Sequence, residues 1–166
     1  INDVRISDRA LREIYLKGFE IIVEEAQPWT IMSSYNKVNG IYVSESRELL
    51  TDVLRDDIGF EGIVMTDWFG GKNAPAQINA GNDLLEPGTK KQWEALENAY
   101  QDGELSVENI NTSAKRILKL IFESRKMQNY ENGNDPDLEA HAIITRKSAA
   151  EGMVLLKNDQ NTLPVK

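Results

Sequence analysis

Apolar positions in this chain alternate between helical spacing and short unbroken runs. Leu11, Ile14, Tyr15, Phe19, Ile22 and Val23 fall on one face of a helix, matching the 3.6-residue period. Ser7 or Asp8 is its natural N-cap. The run WTIMSSY (29–35) predicts a short strand, and the polar stretch from Asn36 to Gly40 predicts a loop. A second helix is expected over 44–59, opened by Ser44 and ended by Gly59. GIVMTDW (62–68) predicts a second strand, PAQINAG a short helix, and NDLLEPG (82–88) a third strand. Two more helices follow, over about 90–100 and 106–127. Ser106 caps the latter, and Val107, Ile110, Ile117, Leu118, Ile121 and Phe122 form its stripe. Residues 128–137 are polar and rich in Asn, Gly and Asp, the composition of a linker. A helix over 138–152 leads into MVLLKN, which predicts a buried strand, and Thr162-Leu163-Pro164 suggests the entry to another element.

Strands alternating with helices predict an α/β fold with parallel strands and crossover helices. The strands are short and continuously apolar, as expected when both sheet faces are covered. An open doubly wound sheet and part of a (β/α)₈ barrel both satisfy the pattern. A whole barrel takes about 250 residues, so the 166 residues here correspond to part of one.

Composition adds exclusions. Apolar residues are 40% of the chain, a globular composition. Nineteen basic against 27 acidic residues give a net charge of −8. With no basic stripe, this argues against nucleic acid and anionic membrane surfaces as partners. Cysteine is absent and there is one histidine, His141. That rules out a disulfide framework, a thiolate nucleophile and a multi-histidine metal site. No run is long enough to span a membrane, and no signal peptide opens the chain, although INDVRISDRALRE reads like the interior of a protein.

In parallel α/β folds the C-terminal strand ends carry the chemistry. Ser34 and Tyr35, Asp67, and Glu86 fall at such ends. Beside Asp67 stands Trp68, a flat apolar surface with one N–H donor. Carboxylate, indole, phenol and amides suit an uncharged polyhydroxylated ligand such as a sugar. No glycine-rich phosphate cradle follows a strand. Structural roles compete with each assignment. Asp67 could cap the next helix, Trp68 could be core, Glu86 a loop carboxylate, Asn36 and Asn39 turn residues, and His141 a surface residue.

Several segments, in order, resemble glycoside hydrolase family 3, the β-glucosidase and β-xylosidase type. They are SDRALREIYLKGFE, MSSYNKVNG, GFEGIVMTDWFGG, AGNDLLEPG and HAIITRKSAAEGMVLLKNDQNTLP. The resemblance implies that Asp67 is the nucleophile of a retaining β-glycosidase. Trp68, Tyr35 and Met32 would line the glycone subsite, with Tyr35 hydrogen-bonding near the nucleophile. It implies a β-glycoside or oligosaccharide substrate and neither metal nor organic cofactor. Glu86 departs from the pattern, because relatives commonly carry methionine there. By the same mapping, 1–127 is the C-terminal half of a TIM-type barrel, 128–137 a linker, and 138–166 a connecting helix plus the first strand of an α/β sandwich domain. The other half-barrel would precede Ile1 and the acid/base glutamate would lie beyond Lys166. A half-barrel leaves open edges, so the expected partner is the remainder of the enzyme or another copy. The alternatives are a non-catalytic sugar-binding or assembly domain, a β-xylosidase or β-N-acetylglucosaminidase of the same family, and an unrelated phosphate-handling barrel enzyme.

Overall fold

The computed structural model describes residues 2–164. The chain forms two compact units, one reaching to Asn129 and the other beginning at Tyr130.

The first unit opens with β1 (Asp3–Val4) and a helical stretch built from α1 (Asp8–Ala10), a π-helical segment (Leu11–Tyr15) and α2 (Lys17–Ala26). Ser7, not Asp8, caps it by accepting the Ala10 N–H at 3.3 Å. Of the predicted apolar stripe only Val23 is buried, and Ile14, Tyr15, Phe19 and Ile22 remain exposed. Strand β2 (Thr30–Ser33) follows.

The expected loop after it is instead a hairpin of β3 (Lys37–Val38) and β4 (Ile41–Tyr42), with β1 added parallel to β3. Asn39 and Gly40 take φ of +50° and +95° at its tip, the left-handed pair that a two-residue hairpin turn requires. The Asn39 side chain accepts the Ile6 N–H at 3.0 Å and donates to Ile6 O at 2.9 Å, while Gly40 N–H donates to Asp3 Oδ1 at 2.8 Å.

The second predicted helix starts later than its sequence suggests. A 3₁₀ turn (Val43–Glu45) precedes a helical segment with π character (Glu48–Asp57). Ser46 caps that segment through the Leu49 N–H at 3.3 Å. The expected cap, Ser44, is fully buried, and its hydroxyl has no hydrogen-bond partner. Gly59 ends the segment as expected, with φ of +81° and its N–H on Arg55 O at 3.1 Å.

Strand β5 (Ile63–Thr66) pairs in parallel with β2, from Thr30↔Ile63 to Ser33↔Thr66. This is the parallel arrangement the alternating pattern predicted. The third predicted strand shrinks to a single parallel bridge, Met65↔Leu84. The cause is Asp83. Its carboxylate, rather than a strand carbonyl, takes the Val64 N–H at 2.9 Å. The same fully buried carboxylate accepts Arg55 at 2.7 Å and Arg116 at 3.0 Å. Burial pushes the Arg55 guanidinium below its usual value and Asp83 opposes that shift.

Three helices complete this unit: α3 (Ala74–Ala80), α4 (Lys90–Gln101) and α5 (Val107–Glu123). Their caps are Asn73, Thr89 and Ser106. Helix α5 stops short of the predicted 127 because Ser124 turns to extended backbone. Val23, Leu50, Leu54, Phe60, Val64 and Ala80 form the core, so the helical stretches flanking β2 and β5 close over the sheet.

In the second unit α6 (Leu138–Gly152) matches its predicted range and is capped by Asp137, which accepts the Ala140 N–H at 2.9 Å. MVLLKN is not a strand: Met153, Val154, Leu155 and Leu156 are exposed and in no regular element. An isolated apolar run has no ladder to join, and no described residue of this unit supplies a second strand.

Candidate active site

The N–H of Asp67 donates to Ser33 O at 3.1 Å. It therefore sits one step past the β2–β5 ladder, at the C-terminal end of both strands. Its Oδ1 accepts the N–H of Trp68 at 2.6 Å. Helix α3 is capped by Asn73, which takes the Ala76 N–H at 3.0 Å, so the helix-cap reading of Asp67 fails.

Backbone bonds stitch the neighbouring strand ends around this carboxylate. Gly70 N–H donates to Asp67 O at 2.8 Å, closing a tight turn in which Phe69 has φ of +62°. Phe69 N–H donates to Glu86 O at 3.1 Å, and Glu86 N–H donates to Thr66 Oγ1 at 2.8 Å. Glu86 thus contributes its main chain to the site. From the end of β2 the Tyr35 hydroxyl donates to Trp68 O. Loss of surrounding water raises the Tyr35 phenol above the ordinary tyrosine value, and the charge and hydrogen bonding of Asp67 raise it further. Tyr35 is consequently a neutral donor through the usual pH range, beside a carboxylate.

Tyr35, Asp67 and Trp68 are brought together, then. Trp68 is 55% exposed, leaving its ring face open to a ligand rather than spent in the core. Met32 is outside this hydrogen-bonded group. It lines an apolar cavity of about 380 Å³ together with Phe19, Leu49 and Leu50. His141 lies exposed on α6. Among the described residues no cluster of acidic, histidine or cysteine side chains could hold a metal ion, and no helix is long and apolar enough to cross a membrane.

Sequence reasoning missed the supports of this site. Glu45 Oε1 accepts the N–H groups of Lys72 at 2.5 Å and Asn73 at 2.9 Å. Gln77 donates its side-chain amide to Gly70 O. Buried Asn82 accepts the Ser33 hydroxyl at 2.9 Å and donates to Ser44 O at 2.6 Å and Gln77 O at 2.9 Å. The signal available beforehand was the Gly70-Gly71 pair, which demands close neighbours without saying which residues they are.

Residues 1–120 match the model of the glycosyl hydrolase family 3 N terminal domain. The chain is 42% identical over 163 residues to an exo-α-(1→6)-L-arabinopyranosidase of Bifidobacterium breve, covering 98% of this chain and 21% of that protein. It is 44% identical to a β-glucosidase of Rhizobium radiobacter, covering 93% of this chain and 19% of that one. Among solved structures, β-glucosidase 3B of Thermotoga neapolitana in complex with glucose superposes with a TM-score of 0.88 at 43% identity, over 100% of this chain and 24% of that one. The chain therefore spans about a fifth of the length of these curated relatives. Its own α/β architecture, the matched family model and this set of relatives agree: the chain belongs to glycosyl hydrolase family 3.

Proposed function

We propose that this chain carries the nucleophile, Asp67, of a retaining exo-acting β-glycosidase of the β-glucosidase type. One observation carries the reading: a carboxylate at the C-terminal end of β5, oriented by the Trp68 amide and flanked by an exposed indole and a neutral phenol. With Oδ1 engaged by that amide, the other carboxylate oxygen attacks the anomeric carbon. The bond to the leaving oxygen breaks as a second, protonated carboxyl donates its proton. Water, deprotonated by the same second carboxyl, then releases the sugar and restores the Asp67 carboxylate, giving net retention. Retaining enzymes hold the two carboxyls about 5–5.5 Å apart. Tyr35, whose hydroxyl donates to Trp68 O, braces the backbone beside Asp67, and Trp68 packs against the sugar's C–H face. Met32 borders the glycone from β2.

In this reading residues 1–127 are the later half of a (β/α)₈ barrel, and the acid/base carboxyl comes from sequence outside this chain. MVLLKN becomes a strand when it meets the sheet of the following α/β domain. The arabinopyranosidase relative supports a second glycone. An α-L-arabinopyranoside presents its leaving group on the same side as a β-D-pyranoside, so Asp67 serves both without rearrangement.

The test is covalent trapping. The protein at its natural full length is incubated with a 2-deoxy-2-fluoro-β-glucoside bearing a good leaving group, then digested and mass-mapped. A glycosyl adduct on the peptide containing Asp67 is expected, and Asp67→Asn should lower turnover by about 10⁴-fold or more while sugar binding survives. Absence of an adduct with glucoside, xyloside and arabinopyranoside reagents alike would refute the assignment.

A further inference from the structure

The turn that follows Asp67 is held at its far end by a cluster that touches no sugar-facing group. Glu45 receives two successive amides, Lys72 N–H at 2.5 Å and Asn73 N–H at 2.9 Å. Gly71 sits against the same cluster with φ of +72°. A Cβ there would fall inside contact distance of Gln77 Nε2 and Ser44 Oγ, and 2.9 Å from Glu45 Oε1. Gln77 fastens the preceding carbonyl, Gly70 O. Through Asn82 this cluster is tied to Ser33 at the end of β2. The near end of the same turn is the Trp68 N–H that holds Asp67 Oδ1 at 2.6 Å. Residues 68–73 therefore form a short span pinned at both ends, with a reactive carboxylate on one pin and Glu45 on the other.

We propose that Glu45 is a positioning residue for the nucleophile: by fixing the amides of Lys72 and Asn73 it sets the Trp68 amide, and with it the orientation of the Asp67 carboxylate. This rests on Asp67 being the nucleophile. Glu45 acts through the place of its oxygen rather than through its charge, because what it supplies is an acceptor for two N–H groups.

Place and charge separate in two variants. Glu45→Gln keeps the acceptor where it is and removes the charge. Glu45→Asp keeps the charge and draws the oxygen back by one methylene. In the protein at its natural full length, the rate of labelling on Asp67 by the fluoro-glucoside is measured across reagent concentrations, with thermal unfolding in parallel. Glu45→Gln is expected to label within about threefold of the wild-type rate. Glu45→Asp and Glu45→Ala are expected to fall by about 10–100-fold at saturating reagent, the cost of an ångström-scale misplacement. The half-saturating concentration is expected to stay unchanged, and every folded variant should still reach one label per chain. Should Glu45→Ala fail to fold, the contrast between Gln and Asp decides. Wild-type labelling rates in all variants would overturn the proposal, as would a normal Asp variant beside a slow Gln variant. In either case wild-type labelling on Asp67 leaves the nucleophile assignment standing. No label on Asp67 in the wild type would overturn both.

Discussion

Two carboxylates lie close in sequence and differ in every physical respect. Asp67 stands at a strand end with one oxygen on a backbone amide, an arrangement suited to reaction. Asp83 is fully buried between Arg55 and Arg116 and also takes the Val64 N–H. Both its oxygens are engaged, Oδ2 by Arg55 and the Val64 N–H and Oδ1 by Arg116, so it is a structural anion. Burying one carboxylate with two guanidiniums is tolerable only while every member stays paired. Replacing Asp83 by Asn leaves Arg55 without a counter-ion in the interior and the half-buried Arg116 without one beside it. A loss of about 3–5 kcal/mol is expected, read as a lower urea midpoint by tryptophan fluorescence. The sequence distinguishes the two poorly, because both aspartates stand beside short apolar runs, Asp67 after Ile63-Val64-Met65 and Asp83 before Leu84-Leu85. What separates them is the arrival of Arg55 and Arg116 from helical segments distant in sequence, which spacing does not disclose.

At the scale of the element, the helices were largely legible and the short strands were not. Helix α6 was readable over its whole length, and α4 nearly so, because local caps and composition define them. The hairpin of β3 and β4 reads as a loop in the sequence, since two-residue strands carry too little pattern; its tell-tale is the Asn39-Gly40 dipeptide. The third strand failed because a side chain took the place of a ladder carbonyl. Ser44 and Ser46 show the limit of local reading most clearly. Both precede the same helix, but Ser46 binds the Leu49 N–H while the buried Ser44 hydroxyl binds nothing. Ser46→Ala should therefore cost about 1 kcal/mol. Ser44→Ala should be neutral or slightly stabilising, because it removes an unpaired buried hydroxyl. Thermal unfolding of the two variants side by side checks the contrast.

At the scale of the molecule, the notable feature is unspent apolar surface. The second unit buries none of its described residues, and Ile143, Ile144 and Met153 to Leu156 lie open. Surface of this kind marks a site of association, consistent with a chain that corresponds to about a fifth of its relatives' length. If Asp67 needs a second carboxyl from outside residues 1–166, the isolated chain should show no turnover of an aryl β-glucoside. Turnover by the purified chain would refute that division of labour. Time also acts on the whole molecule, and here the Asn39 turn has a consequence. An Asn-Gly pair ages when the glycine nitrogen attacks the asparagine side-chain carbonyl, expelling ammonia. At Asn39 the side chain is held on both sides by Ile6, and the Gly40 N–H is committed to Asp3. Asn132-Gly133 is exposed and outside any regular element. Peptide mapping of stored protein should find deamidation at Asn132 well before Asn39, so chemical ageing begins in the exposed segment ahead of α6 and spares the hairpin.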